Sequence, residues 1–146
     1  VGKEMQINIF YKTDLPKYYK TSAKYKKVIL KALGRAAANN GELNLIIVCE
    51  KEIHKINKQF INHDYVTDVI SFGYDFDAKQ GGPFGDVFVC FLQAKKQAKQ
   101  QGHGVLLEML VLAAHGTLHL VGYDDNTTEL RNKMNAVAEK IAKEFI

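Results

Sequence analysis

The chain has 146 residues, 47% of them hydrophobic and 25% charged, with two prolines and a formal net charge of +4. That length buries a core without disulfides or a structural metal, and the composition is not that of a low-complexity or disordered chain. No run approaches the roughly 18 consecutive apolar residues of a membrane span and no signal-peptide pattern opens the chain, so one cytoplasmic domain over residues 1–146, with no membrane association and no obligate protein partner, is the expectation.

Val1–Glu4, ahead of Met5, are either native or a remnant of expression with Met5 the natural start. Gln6 to Phe10 alternates polar and apolar residues, the period of a strand. Ser22 is expected to cap a helix running to about Ala38, with Val28, Ile29, Leu30 and Leu33 on its apolar side and Asn39-Asn40-Gly41 ending it. Along this helix Lys20, Lys24, Lys27, Lys31 and Arg35 recur at three- and four-residue steps. Residues 1–35 carry nine Lys or Arg against Glu4 and Asp14, a net of +7, which leaves the remainder at −3. Such a stripe is either a solvated face or a surface that attracts phosphates through counterion release.

Asn44 to Cys49 reads as a second strand and Lys51 to Ile61 as a helix, with Ile53, Ile56 and Phe60 at helical spacing. Asp68 to Phe72 and Asp86 to Cys90 are β-branched and aromatic runs bounded by Gly and Asp, hence strands, joined by a loop at Gln80-Gly-Gly-Pro-Phe-Gly85. Cys49 and Cys90 each follow a β-branched run, show no C-x-x-C spacing, and are taken as reduced, buried strand residues. Leu92 to Gln101 is a polar helix that Gly102-His103-Gly104 breaks. Val105 to Val121 is apolar nearly all round, the signature of a central buried helix. Asn126 is expected to cap a last helix from Thr127 to the C-terminus, with Leu130, Met134, Val137, Ile141 and Ile146 near one face. These elements predict an α+β domain, a small mixed four-stranded sheet with about five helices.

The chemistry concentrates at the end of the buried helix. His115 and His119 are four residues apart, so their side chains leave the same face about 5–6 Å apart at Cβ, close enough to share one ion. Gly122 then permits the left-handed turn that brings Asp124 and Asp125 back toward them. Two imidazoles inside an apolar helix need partners for their nitrogens, and a shared divalent metal satisfies both; a pair of core histidines bonded to backbone carbonyls is the bland alternative. The spacing also matches the protease pattern H-E-x-x-H-x-x-G-x-x-H as His115, His119, Gly122 and Asp125. The glutamate that serves there as general base is Gly116 here, which argues against a protease.

The segment His115-Gly116-x-Leu118-His119-Leu120-x-Gly122-Tyr123-Asp124 resembles the H-G-x-L-H-L-x-G-[YF]-D-H signature of the YbeY family, bacterial metal-dependent endoribonucleases of ribosomal RNA maturation. Asn57, Asp64, Thr67-Asp68-Val69-Ile70-Ser71-Phe72, Gly85-Asp86-Val87, Gly102-His103 and Glu108 are similar to further family motifs, so the likeness spans about residues 56–125. The sequence departs from the pattern at Asp125, where the family usually has a third histidine, and at Ile61, where it has an arginine expected to contact substrate. Val66 and Gly73 replace two prolines.

The resemblance implies a metal-dependent single-strand endoribonuclease acting on ribosomal RNA and the small ribosomal subunit, with one divalent ion, zinc, held by His115, His119 and Asp125. A carboxylate as third ligand lowers the charge of the site and shifts preference toward harder ions. Asp124 is the nearest candidate base, and is alternatively the third ligand or a partner orienting a histidine. It also tips the basic stripe of Lys20, Lys24, Lys27, Lys31 and Arg35 toward RNA binding. Asp68 and Asp86 are caps or site residues; His54 is expected at the surface, His63 and His103 in turns, with His103 a possible cleft residue. The alternatives are a metzincin-like metalloprotease and a non-enzymatic RNA-binding ribosome-assembly factor.

Overall fold

Four strands form one sheet in the order β1-β2-β4-β3, where β1 is Gln6–Tyr11, β2 Glu42–Val48, β3 Val69–Tyr74 and β4 Phe84–Cys90. The structure, a computed structural model, describes residues 5–38, 40–74 and 84–146. Val1–Glu4, Asn39 and most of the Gln80–Gly85 loop lie outside those residues. β1 pairs with β2 and β2 with β4 in parallel, while β3 runs antiparallel to β4 at one edge, so the sheet is mixed as expected.

Strand alternation assigns the two faces. Leu43, Leu45 and Ile47 of β2 and Val87 and Val89 of β4 are all within 1% of full burial and face the main core. Ile46, Ile70 and Phe88 point to the other face, where α2 (Glu50–Ile56) covers them with Ile53 and Ile56. Across the parallel strands the in-register Asn8, Asn44 and Asp86 form a polar ladder, Asn8 Nδ2 donating to Asn44 Oδ1 (2.9 Å) and Asn44 Nδ2 to Asp86 Oδ1 (3.0 Å). Tyr74 donates its hydroxyl to the other Asp86 oxygen, so Asp86 is a sheet residue.

On the main-core side, α4 (Val105–Leu120) is the hub: it packs on β3 and β4 and is surrounded by α1 (Ser22–Leu33), α3 (Phe91–Gln101) and α5 (Thr128–Phe145). Its apolar character all round follows from that position, with Leu106, Met109, Leu110, Leu112 and Leu118 each at most 4% exposed. Among the described residues no single helix is long and apolar enough to cross a membrane.

Several local expectations are corrected. Thr21, not Ser22, is the N-cap of α1, and Ser22 Oγ instead lies 2.8 Å from the Tyr11 hydroxyl. The α-helix stops at Leu33 because Gly34 takes a positive φ of 59°, and residues Gly34–Ala38 continue as a 3-10 run. Thr127, not Asn126, caps α5, its side chain accepting from Leu130 N at 3.1 Å. Cys49 is exposed, because β2 ends at Val48 and the next residue is already the N-cap of α2; Cys90 is buried as expected. Phe60 is 63% exposed, because residues Asn57–Ile61 wind as a π-turn and the wider turn carries Phe60 off the face shared by Ile53 and Ile56. Leu130 and Ile146 are also exposed, α5 burying Met134, Ala138, Ile141 and Ala142 instead.

Candidate metal centre

The end of α4 is pressed against the sheet by Gly116. A Cβ there would lie 2.4 Å from Val87 Cγ1, 2.9 Å from Ser71 Oγ and 3.2 Å from Val69 Cγ2, so no side chain fits. Ser71 uses the close approach to donate its hydroxyl to Gly116 O at 2.9 Å. With position 116 turned into the sheet, His115 and His119 are turned toward the open side of α4 beside β3. Gly122, at φ 103°, closes the helix; its N–H donates to His119 O (3.2 Å) and that of Tyr123 to Leu118 O (3.0 Å), which returns the chain so that Asp125 faces the histidines.

His115, His119 and Asp125 each offer one ligand atom, and these atoms all lie within 4.8 Å of one another. His119 Nε2 is 3.5 Å from Asp125 Oδ2, and the two imidazole rings are 5.1 Å apart at their centroids. Two donors at zinc distances and a tetrahedral angle are separated by about 3.3–3.4 Å, a spacing that the His119–Asp125 pair already approaches. Burial holds the His115 imidazole below its ordinary value, and the neighbouring His119 adds to this, against the upward pull of Asp68, Asp125 and a hydrogen bond with Asn135. The neutral ring this favours is the form that ligates metal.

The three residues open onto a cleft of about 580 Å³. Its far wall is the chain from Asn57 to Tyr65, including Ile61, His63 and Tyr65; its floor is β3 with Thr67 and Asp68 ahead of it. Asp68 is half-buried, with Oδ1 accepting from Val69 N (2.8 Å) and Oδ2 from Gln97 Nε2 (3.2 Å). The same Gln97 nitrogen donates to Glu108 Oε2 (2.8 Å), and Glu108 Oε1 is 2.9 Å from His103 Nε2. This network borders a second cavity of about 210 Å³ behind His115, which is where His103 sits.

Asp124 is placed differently from its neighbour. Its two oxygens accept from Asn126, one from the backbone N–H and one from the side chain, at 3.0 Å each, and it does not line the cleft. Lys20, Lys24, Lys27, Lys31 and Arg35 do not line it either. Lys24 donates to the Ile146 carbonyl at 2.9 Å and Lys31 lies 3.8 Å from Glu144, so part of the stripe faces the end of α5. His54 is half-exposed and 2.7 Å from Asp64 Oδ1.

Sequence reasoning passed over Tyr65, Gln97 and Asn135, and saw Asn57 only as a motif position. Asn57 is 3% exposed, and a polar side chain adjoining the apolar face of Ile53 and Ile56 was a signal that it braces something. It does: Asn57 Nδ2 donates to Tyr65 O at 2.9 Å, and its carbonyl accepts from His63 N at 3.1 Å.

Known proteins are similar to this chain in sequence and in fold. A protein named endoribonuclease YbeY from Elusimicrobium minutum is 53% identical over 133 residues, 90% of this chain and 93% of its own length. Another of that name from Acholeplasma laidlawii is 36% identical over 137 residues, 94% of each chain. The solution structure of a Thermotoga maritima protein superposes with a TM-score of 0.60 at 26% identity, covering 95% of this chain and 91% of its own. The family model described as endoribonuclease YbeY matches residues 9–146, a span that takes in the whole sheet apart from the first residues of β1, all five α-helices, and His115, His119 and Asp125. The chain therefore belongs to the endoribonuclease YbeY family.

Proposed function

We propose that the protein is a metal-dependent endoribonuclease that cleaves single-stranded RNA in the cytoplasm, acting on ribosomal RNA of the small subunit during its maturation. The observation that carries this reading is the His115–His119–Asp125 set, with candidate ligand atoms within 4.8 Å of one another, opening onto a cleft of about 580 Å³. One divalent ion, zinc by the nitrogen-rich donor set, fits these residues. When bound, it supplies a Lewis acid for a phosphoryl oxygen and increases the acidity of a water.

The protein's own groups do the rest. Asn135 orients His115, and Asp125 sets the third donor beside His119. Asp68, held at both oxygens, is the carboxylate in the cleft that takes up a proton during attack on the phosphodiester; Asp124, committed to Asn126, shapes the turn that presents Asp125. The exposed Lys20, Lys27 and Arg35 draw the RNA backbone toward the molecule from outside the cleft.

A protease reading loses its footing at Gly116, since the position that would carry a glutamate base is packed into the sheet. The test is cleavage of a single-stranded ribosomal RNA fragment together with metal analysis. Activity should vanish with chelator, return on adding Zn²⁺, and be absent in a His115→Ala protein of unchanged circular dichroism. RNA that is bound but never cut would replace this reading with that of an assembly factor. Neutralising Lys20, Lys27 and Arg35 should weaken RNA binding and flatten its salt dependence; an unchanged slope removes the stripe from the account.

A further inference from the structure

The metal cleft has an unusual lining for a surface that would hold a polyanion. Among the described residues that form it there is no lysine or arginine, and there are two carboxylates, Asp68 and Asp125. Phosphate capture inside the cleft therefore has no fixed side-chain cation beyond what a bound ion and the histidines offer. Affinity at this point has to come from another part of the nucleotide.

The segment from Asn57 to Tyr65, which lines the same cleft, offers one. His63 and Tyr65 are stacked nearly parallel, with ring centroids 5.3 Å apart and an interplanar angle of 16°. The Tyr65 hydroxyl lies 3.1 Å from His63 Nδ1, a contact that joins the two parallel rings. The surface is not buried: Tyr65 is 54% exposed, and both residues line the cleft.

The backbone beneath the pair is rigidly held. Asn62 adopts the left-handed conformation at φ 64°, ending the π-turn, and the buried Asn57 ties the segment at two points, through its side chain to Tyr65 O and through its carbonyl to His63 N. An exposed aromatic surface fixed by a buried polar brace is preorganised, so a flat ligand binds it without first ordering the loop.

We infer that the His63–Tyr65 pair is a stacking platform for one unpaired nucleobase next to the scissile phosphate, and that it contributes substrate affinity in a cleft whose described lining carries no lysine or arginine. Base–aromatic stacking is tolerant of sequence because every base has a π-face. It also selects for single strands, since a base held in a duplex has no free face to offer. The inference rests on the proposed RNA cleavage and names the subsite that it uses.

The test is abasic scanning of a single-stranded oligoribonucleotide with one cleavage site, reading KM and kcat separately. With the unaltered protein, removing the base at one position beside the cleaved bond should raise KM by roughly tenfold and change kcat little. In Tyr65→Leu the intact oligonucleotide should already show the raised KM, and the same abasic change should add nothing further. Tyr65→Phe, which keeps the ring and loses only the hydroxyl contact with His63, should recover most of the original pattern. Because the Tyr65 side chain is exposed and only its carbonyl is used by Asn57, these variants are expected to fold. An abasic penalty that persists undiminished in Tyr65→Leu overturns the platform, as does normal cleavage with no base-dependent position. Failure of the unaltered protein to cut RNA at all would instead remove the proposed function itself, and the platform with it.

Discussion

Asp124 and Asp125 are adjacent carboxylates with different surroundings, and their difference is the sharpest test of the site. Asp125 Oδ2 is 3.5 Å from His119 Nε2, whereas both Asp124 oxygens are occupied by Asn126. Alanine at Asp125 should remove most bound metal by elemental analysis, and alanine at Asp124 should leave it in place. The cysteines give a second contrast: Cys49 is exposed, while Cys90 is buried and burial pushes its thiol above the usual range. Mass spectrometry after alkylation of the native protein should therefore find one label per chain, at Cys49, and two in denaturant. A third outcome concerns pH. The folded His115 titrates below its ordinary value of 6.5, so below about that pH the unfolded chain binds more protons than the folded one. Stability of the chelated protein should accordingly fall as pH drops from about 7 toward 5 in urea titrations, and less steeply in His115→Gln. The proximity of His115, His119 and Asp125 was legible in the sequence because helical spacing and one glycine fix it locally. Tyr65 was not, because its place in the cleft depends on Asn57, eight residues earlier, and on a π-turn that no periodicity announces.

The element that decides the geometry is α4, and its contact with β4 is set by the missing side chain at Gly116. Replacing a helical glycine with alanine is ordinarily stabilising by roughly 0.5–1 kcal/mol. Here the added Cβ would come within 2.4 Å of Val87 Cγ1, on a stiff β-branched side chain that is fully buried. Overpacking of that kind costs about 1–3 kcal/mol, so Gly116→Ala should lower the urea midpoint despite its better helix propensity, and should weaken metal binding by pushing His115 and His119 away from Asp125. Among the described residues, the four strands and five α-helices were visible from sequence in type and approximate extent, through periodicity, β-branched runs or a continuous apolar stretch. The misplaced details are the caps and turn ends. Thr21 and Thr127 took the capping positions expected for Ser22 and Asn126, and the exposed Phe60 sits where an unbroken α-helix would have buried it. Those outcomes depend on a single backbone torsion or one extra residue per turn, below what hydrophobic spacing resolves.

At the scale of the molecule, the cleft joins distant parts of the chain. Its wall comes from residues 57–65 and its floor from the edge strand β3, while all three candidate ligands lie between His115 and Asp125, on one helix and the turn that follows it. That locality has a thermodynamic consequence. An ion that joins groups so close in sequence closes only a short loop, and so removes little entropy from the unfolded chain. The core it sits beside is complete without it, from Leu43 and Val87 on the sheet to Met134 on α5. Metal removal should therefore leave the far-ultraviolet circular dichroism of the protein intact and lower its melting temperature only as far as mass action requires. Amide hydrogen exchange should show the loss as faster exchange confined to the last turn of α4 and the Gly122–Asp125 turn, with protection of β2 and β4 unchanged.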